Sequence, residues 1–248
     1  RVVNDNDAIV FFNFRIDREI EITQALIEPN FQHFERRHWP NLHYVGMSQY
    51  YSDMSAPAAL QRVELAAKNI LGEVLSERGY TQLRLTETEK WVYVTKIFNV
   101  MQEDPFPGEE RILIPSDKIA TYDLKPAMQA ANLAKEAVKH LNDNAFDVYI
   151  INFPNADMLG HTGNKAAAIQ GVEAVDMALK QIYDELKQHH GVMIITADHG
   201  DAEVMWDKEW NCPHTFHTDS FVPFILIDDE HKQAQLRDNG TLKDCAPT

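Results

Sequence analysis

The second half of the chain does most to restrict its fold. Three short apolar runs, "DVYIINF" (147–153), "GVMIITA" (191–197) and "VPFILI" (222–227), stand apart from two long stretches with helical spacing, 125–142 and 165–188. Each run is rich in Val and Ile and too short for a helix of ordinary length, so each reads as a buried strand. Strands that alternate with helices imply an α/β fold, a parallel or mixed sheet flanked by helices. In such sheets ligands collect outside the carboxyl ends of the strands, so the loops after 147–153 and 191–197 are the first places to look for chemistry.

The first half is less regular. "AIVFFNF" (8–14) predicts a strand, and the Ile16, Ile20, Ile22 and Leu26 spacing predicts a helix after it. Residues 30–56 are rich in aromatics, Pro and Ser, with one strand expected near 42–46. The pattern then turns helical over 57–78. "LRLTETEKWVYVTKIF" (83–98) predicts one or two strands around a turn, and "EDPFPGEERILIP" (103–115) reads as loop, with three prolines and a glycine.

Composition excludes several function classes. With 38 acidic against 23 basic residues in 248, the formal net charge is -15. General nucleic-acid binding is not expected, because phosphate contacts need clustered Lys and Arg. An anionic substrate would need a local knot of positive charge or a metal. No apolar run approaches the roughly 18 residues that span a bilayer, so no membrane association is expected. The opening "RVVNDNDAIVFFNF" has no signal-peptide pattern and no initiator Met, which fits a fragment or a processed chain. Two cysteines, Cys212 and Cys245, make no disulfide framework, which points to a reducing, cytoplasmic setting.

Three polar clusters fall in the loops of the alternating half. "PNADMLGHTGN" holds Asp157 and His161, "ITADHGDAE" holds the adjacent Asp198 and His199, and "PHTFHT" holds His214 and His217. Any one of them alone reads as a turn or helix cap. Three together, two just beyond strand ends, read as a metal site. Carboxylate oxygen with imidazole nitrogen suits Zn²⁺, Mn²⁺ or Fe²⁺ better than Ca²⁺, which takes oxygen. A pair of such ions about 3.5–4 Å apart can clamp the attacking and leaving oxygens of a phosphoryl transfer. Five ligands would not fill two coordination shells, so further ligands are expected from elsewhere.

At these residues the sequence resembles the alkaline phosphatase superfamily, and within it the cofactor-independent (2,3-bisphosphoglycerate-independent) phosphoglycerate mutases. The strings that carry the likeness are "NFPNADMLGHTGN" with "AAIQGVEAVD", "ITADHGDAE" and "PHTFHTDSFVPFIL". "LTETEKWVYVTKIFN", "EERILIPSDKIATYDLKPAM" and "DAIVFFNFRIDREIEIT" extend it over nearly the whole chain, least clearly at 30–80. The resemblance implies an alkaline-phosphatase-like mixed sheet flanked by helices, plus part of a second, smaller α/β substrate-binding domain. Residues 1–60 would be the C-terminal part of the substrate-binding domain, and 61–248 the C-terminal part of the metal-binding domain.

The resemblance also implies roles. One metal would be held by Asp157, His161 and His217, and the second by Asp198 and His199. His217 is preferred over His214 because His217-Thr218 stands shortly before Val222-Pro223, as the family's ligand does. Lys90 would support the phosphoryl group, as a catalytic and substrate-binding residue. Arg15 and Arg18 would grip the substrate with bidentate, permanently charged donors, and lie on one face if their segment is helical. Two divalent ions are expected, Mn²⁺ first, with Zn²⁺, Co²⁺ or Mg²⁺ also compatible. The implied reaction interconverts 3-phosphoglycerate and 2-phosphoglycerate through a phosphoserine, a step of glycolysis and gluconeogenesis, in a monomer.

Departures limit the transfer. The family's nucleophile is a serine in an Asn-Ser-Glu context, accompanied by a further metal-binding carboxylate. Ser48, Ser52, Ser55, Ser76, Ser116 and Ser220 have no such context. The chain therefore resembles the C-terminal half of a full-length enzyme. It is expected to need the N-terminal half to complete its site and to be inactive alone. Asp201 stands where the family commonly has Asn, and "FNVM" (98–101) where it has Phe-Asn-Gly-Gly. Two alternatives remain open: a related metal phosphohydrolase or phosphopentomutase, and a non-catalytic metal-binding fragment.

Overall fold

A computed structural model of the chain describes residues 2–15, 18–60 and 67–247. The chain divides into two compact units, Arg1–Ala66 and Ala67–Thr248.

The first unit holds strand β1 (Ala8–Phe11), helix α1 (Arg18–Ile27), strand β2 (His43–Ser48) and strand β3 (Ala58–Leu60). The three strands form a parallel sheet in the order β1-β2-β3. Its interior is built on tyrosines, because each can bury a ring and still satisfy its hydroxyl. Tyr50 is fully buried and donates to the carbonyls of Phe11 (3.2 Å) and Asn13 (2.6 Å), and the Tyr44 hydroxyl meets Thr23 Oγ1 at 2.8 Å. The strand expected over 8–14 stops at Phe11, and Phe12 and Phe14 are exposed.

The second unit begins with helix α2 (Leu71–Glu77) and strand β4 (Gln82–Glu87). The helix expected over 57–78 is thus replaced in large part. Residues 58–60 pair beside β2 as a third strand, and the helix starts only after Asn69, whose φ of 59° breaks any earlier turn. The part of that expectation at 61–66 lies outside the described residues. After β4 the chain enters a 3-10 turn (Thr88–Lys90) and a π-helical turn (Tyr93–Ile97), not a second strand. The β-branched residues of "WVYVTKIF" favour a strand locally, but Val94 and Thr95 are buried in the helical turn, and packing overrides propensity.

Strand β5 (Glu109–Ile114) occupies what reads as loop in the sequence. It pairs in parallel with β4 over six residues, Gln82↔Glu109 to Glu87↔Ile114. Its charged start hides it: Glu109 is buried to meet two arginines, Arg111 Nε at 2.6 Å and Arg84 at 3.8 Å. Arg84 is itself wholly buried, with its guanidinium 4.3 Å from the Phe98 ring centroid. Burial pushes its pKa down to about 10 against the opposing pull of Glu109.

Next come helix α3 (Ala130–Asn142), strand β6 (Val148–Ile151), helix α4 (Asn155–Gly160), helix α5 (Lys165–Leu186) and strand β7 (Met193–Thr196). The short β8 (Trp206–Asp207) and β9 (Cys212–Pro213) pair antiparallel, and strand β10 (Phe224–Ile227) pairs antiparallel with β7. β4 is central in the parallel order β5-β4-β6, so all six of its residues are buried. Its Leu83 and Leu85 pack under α3 and α5 with Leu133, Leu141 and Ile182. The two helices approach closely because their contact faces are small: Ala130, Ala134 and Ala137 on α3, and Ala174 and Ala178 on α5. The unit is an α/β fold whose parallel sheet is flanked by helices. Among the described residues no helix is long and apolar enough to cross a membrane.

Candidate metal centre

The loop expected at 154–164 is mostly helix α4, and this decides the geometry. Asp157 lies in its first turn and His161 is its C-cap, four residues on, so the two side chains share a face. His161 Nε2 lies 3.3 Å from Asp157 Oδ1. His217 arrives from the loop before β10, with Nε2 3.0 Å from Asp157 Oδ1 and 3.2 Å from His161 Nε2. Three ligand-type atoms thus form a triangle with edges of 3.0–3.3 Å. Bonds of roughly 2.0–2.2 Å to one divalent ion place neighbouring ligand atoms at about that spacing.

The ring orientations are fixed from behind. His161 Nδ1 sits 2.9 Å from the Thr215 carbonyl. A carbonyl only accepts, so Nδ1 carries the proton and Nε2 presents its lone pair to the cluster. The loop of His199 is tied to that of His217 by the Thr218 N–H donating to the Gly200 carbonyl at 2.9 Å. His199 consequently stacks on His217 with centroids 3.7 Å apart, and its Nε2 is 3.7 Å from Asp157 Oδ1.

Asp157 has a second partner. Lys90, at the end of the 3-10 turn after β4, places Nζ 2.6 Å from Asp157 Oδ2. Both side chains are largely buried. Burial pushes the Asp157 carboxyl up, but the Lys90 hydrogen bond and charge, helped by His161 and His199, outweigh it and hold the pKa below the usual Asp value.

The residues singled out in the sequence divide into four groups. Asp157, His161, His217, His199 and Lys90 come together. Asp198 stays at the rim: its side chain is 79% exposed, and Oδ2 lies 3.6 Å from His199 Nε2. Arg15 and Arg18 belong to the first unit; both are exposed, and Arg18 lies 4.0 Å from Glu21. Arg15 precedes α1, so the helical same-face argument does not cover it. His214 is outside the cluster, its ring edge-on to Phe216.

Asp201 was not among the sequence candidates, yet it joins Asp157, His161 and His217 in a group whose ligand atoms all lie within 4.8 Å of one another. Its signal in the sequence was its position two residues past His199. Asp201 is 5% exposed, and neither carboxylate oxygen has a hydrogen-bond partner among the described residues. Burial raises its pKa, and the nearby Asp157 charge adds to the rise against the pull of His161. A buried anion without a hydrogen-bond partner is costly, and a divalent cation held close by at Asp157, His161 and His217 would offset it. The donor set and its spacing fit such an ion.

Comparison with known proteins agrees with this chemistry. Residues 40–248 match the family model described as Metalloenzyme superfamily, and residues 1–52 match that described as BPG-independent PGAM N-terminus. The chain is 45% identical over 246 residues to the 2,3-bisphosphoglycerate-independent phosphoglycerate mutase of Shewanella denitrificans, covering 99% of this chain and 47% of that one. It is 46% identical to that of Pseudomonas syringae pv. tomato, covering 99% and 48%. The crystal structure of Leishmania mexicana phosphoglycerate mutase at low cobalt concentration superposes with a TM-score of 0.82 at 34% identity, over 90% of this chain and 43% of that one. The chain thus belongs to the metalloenzyme superfamily, is related to the BPG-independent phosphoglycerate mutases, and spans about half the length of the relatives it matches.

Proposed function

We propose that this chain supplies the greater part of the metal centre of an enzyme that interconverts 3-phosphoglycerate and 2-phosphoglycerate. The observation that carries the reading is the triangle of Asp157 Oδ1, His161 Nε2 and His217 Nε2, with Lys90 on the second oxygen of Asp157. The likeness to named phosphoglycerate mutases over 99% of the chain supports the substrate class.

In this reading Asp157, His161 and His217 hold one divalent ion, and Asp198 and His199 contribute to a second, Mn²⁺ being the first expectation. When bound, the ions would neutralise phosphoryl oxygens and lower the pKa of an attacking hydroxyl. Lys90 keeps Asp157 ionised and oriented, and its ammonium is placed to meet a phosphoryl oxygen. Arg15 and Arg18 grip the glycerate carboxylate and phosphate, so that the intermediate is not lost to water between the two transfers. The nucleophilic serine and the remaining carboxylate come from the other half of the enzyme. Residues 1–60 form part of the inserted substrate-binding domain, and 61–248 part of the alkaline-phosphatase-like metal-binding domain, with its mixed sheet. The complete enzyme acts as a cytoplasmic monomer.

The test is a mutase assay on the 248-residue chain alone and after mixing with the N-terminal half of a Shewanella relative, with Mn²⁺ present. No turnover alone and turnover of phosphoglycerate in the mixture is the expected result. Turnover by the chain alone would overturn the shared-site reading. Preference for pentose phosphates would instead make the protein a phosphopentomutase.

A further inference from the structure

Asp201 lies beside the metal ligands but does not face them from the same side. His161 presents Nε2 to Asp157 and His217, and Nδ1 to the Thr215 carbonyl at 2.9 Å. The His161 nitrogen that approaches Asp201 Oδ2 is that same Nδ1, at 3.5 Å. The two ring nitrogens point in nearly opposite directions, so the carboxylate stands behind the imidazole. Room for it is built into the fold: Gly160, next to His161, has no side chain, and a Cβ there would overlap the Asp201 carboxylate. The backbone N–H of Asp201 donates to Glu203 Oε2 at 2.7 Å, which fixes the turn that delivers it. Both of its oxygens are buried without a hydrogen-bond partner among the described residues, an arrangement with no structural benefit of its own.

We propose that Asp201 is a positioning residue of the metal centre. Its charge lies beside the Nδ1 that the Thr215 carbonyl keeps protonated, favours that tautomer electrostatically, and makes Nε2 a stronger donor to a divalent cation. A carboxylate behind a ligating imidazole strengthens the metal–nitrogen bond without touching the metal. The inference deepens the reading above and rests on His161 being a ligand.

The test is titration of the 248-residue chain with Co²⁺, following visible absorption for ligand geometry and competition with a chelator for affinity. Asp201→Asn keeps the shape and removes the charge. It is expected to weaken Co²⁺ binding by about 10- to 100-fold while leaving the shape of the absorption bands unchanged. The metal-free Asp201→Asn protein is expected to melt at higher temperature than wild type, because an unpaired buried charge has gone. Gly160→Ala, which pushes the carboxylate out of its recess, is expected to weaken binding in the same direction. Unchanged affinity in Asp201→Asn overturns the proposal. So does an altered band shape, which would make Asp201 a ligand. If wild type and His161→Ala bind Co²⁺ equally, the assignment of His161 fails and takes this inference with it. If His161→Ala abolishes binding and Asp201→Asn leaves it unchanged, only this inference falls.

Discussion

The two parts of the polar cluster differ in how complete they are. Asp157, His161 and His217 bring three donor atoms within 3.3 Å of one another, and each is held from behind by Lys90, the Thr215 carbonyl or the stacked His199. Asp198 and His199 offer two donors, one on a carboxylate whose side chain is 79% exposed. The difference follows from what each part is anchored to. The first is fixed by a helix, α4, and by a loop tied to its neighbour through the Thr218–Gly200 backbone contact. The second sits at the end of β7, where His199 is held by its stacking on His217 but the Asp198 side chain points into solvent. In the reading proposed above, the first part offers an ion three converging donors, whereas the second offers two and would need more from elsewhere.

The sharpest way to break this contrast is to remove Asp157, whose carboxylate meets His161, His217 and Lys90. Asp157→Ala is expected to abolish divalent metal binding by the chain, read as metal content after dialysis against Mn²⁺. Retention of one ion per chain would refute the triangle as the primary site. Asp198→Ala is expected to do less. Calorimetric titration should show the tighter binding event preserved and any weaker event lost, and loss of the tighter event would erase the distinction between the two parts.

Lys90→Met probes the same carboxylate from its other side. Leaving a largely buried Asp157 without its cation should destabilise the metal-free chain by roughly 1–3 kcal/mol in urea melts, with most of that recovered at saturating Mn²⁺. The stability should also depend on pH in opposite senses at the two buried aspartates. Asp157 has a lowered pKa, so its contribution is present above the ordinary Asp value of about 3.9 and is lost as pH falls through the folded value. Asp201 has a raised pKa, so the metal-free protein loses stability as pH rises from about 3.9 through the folded value. In Asp201→Asn that second decline should vanish from the Tm–pH curve while the acid limb remains. The smallest effect is expected at Glu203. Burial raises its pKa, but hydrogen bonds from Thr218 and Ser220 and from backbone N–H groups outweigh this and bring it down to about 2. Glu203→Gln should remove some acid-side stability, present above the ordinary Glu value of about 4.3 and lost as pH falls towards about 2, and leave metal content unchanged.

The α/β alternation was legible because strands at 148–151, 193–196 and 224–227 and helices α3 and α5 carry clear periodicity and lie in one continuous stretch of sequence. β5 and the helical turn after β4 were not legible. Glu109 and Arg111 look solvent-exposed until Arg84 is brought to them from another strand, and "WVYVTKIF" looks extended until Val94 and Thr95 are buried. Local propensity is a weak prior, and non-local burial decided both.

By itself the sequence determined which residue types could meet a metal and which strand ends would carry them, because motif spacing and hydrophobic period are properties of neighbours along the chain. Only the tertiary structure decided that Lys90 pairs with Asp157 and that Asp201 comes up to His161. These contacts join residues 40 to 67 positions apart. Their distances are set by how β4, α4 and the two loops pack, and no local pattern records that.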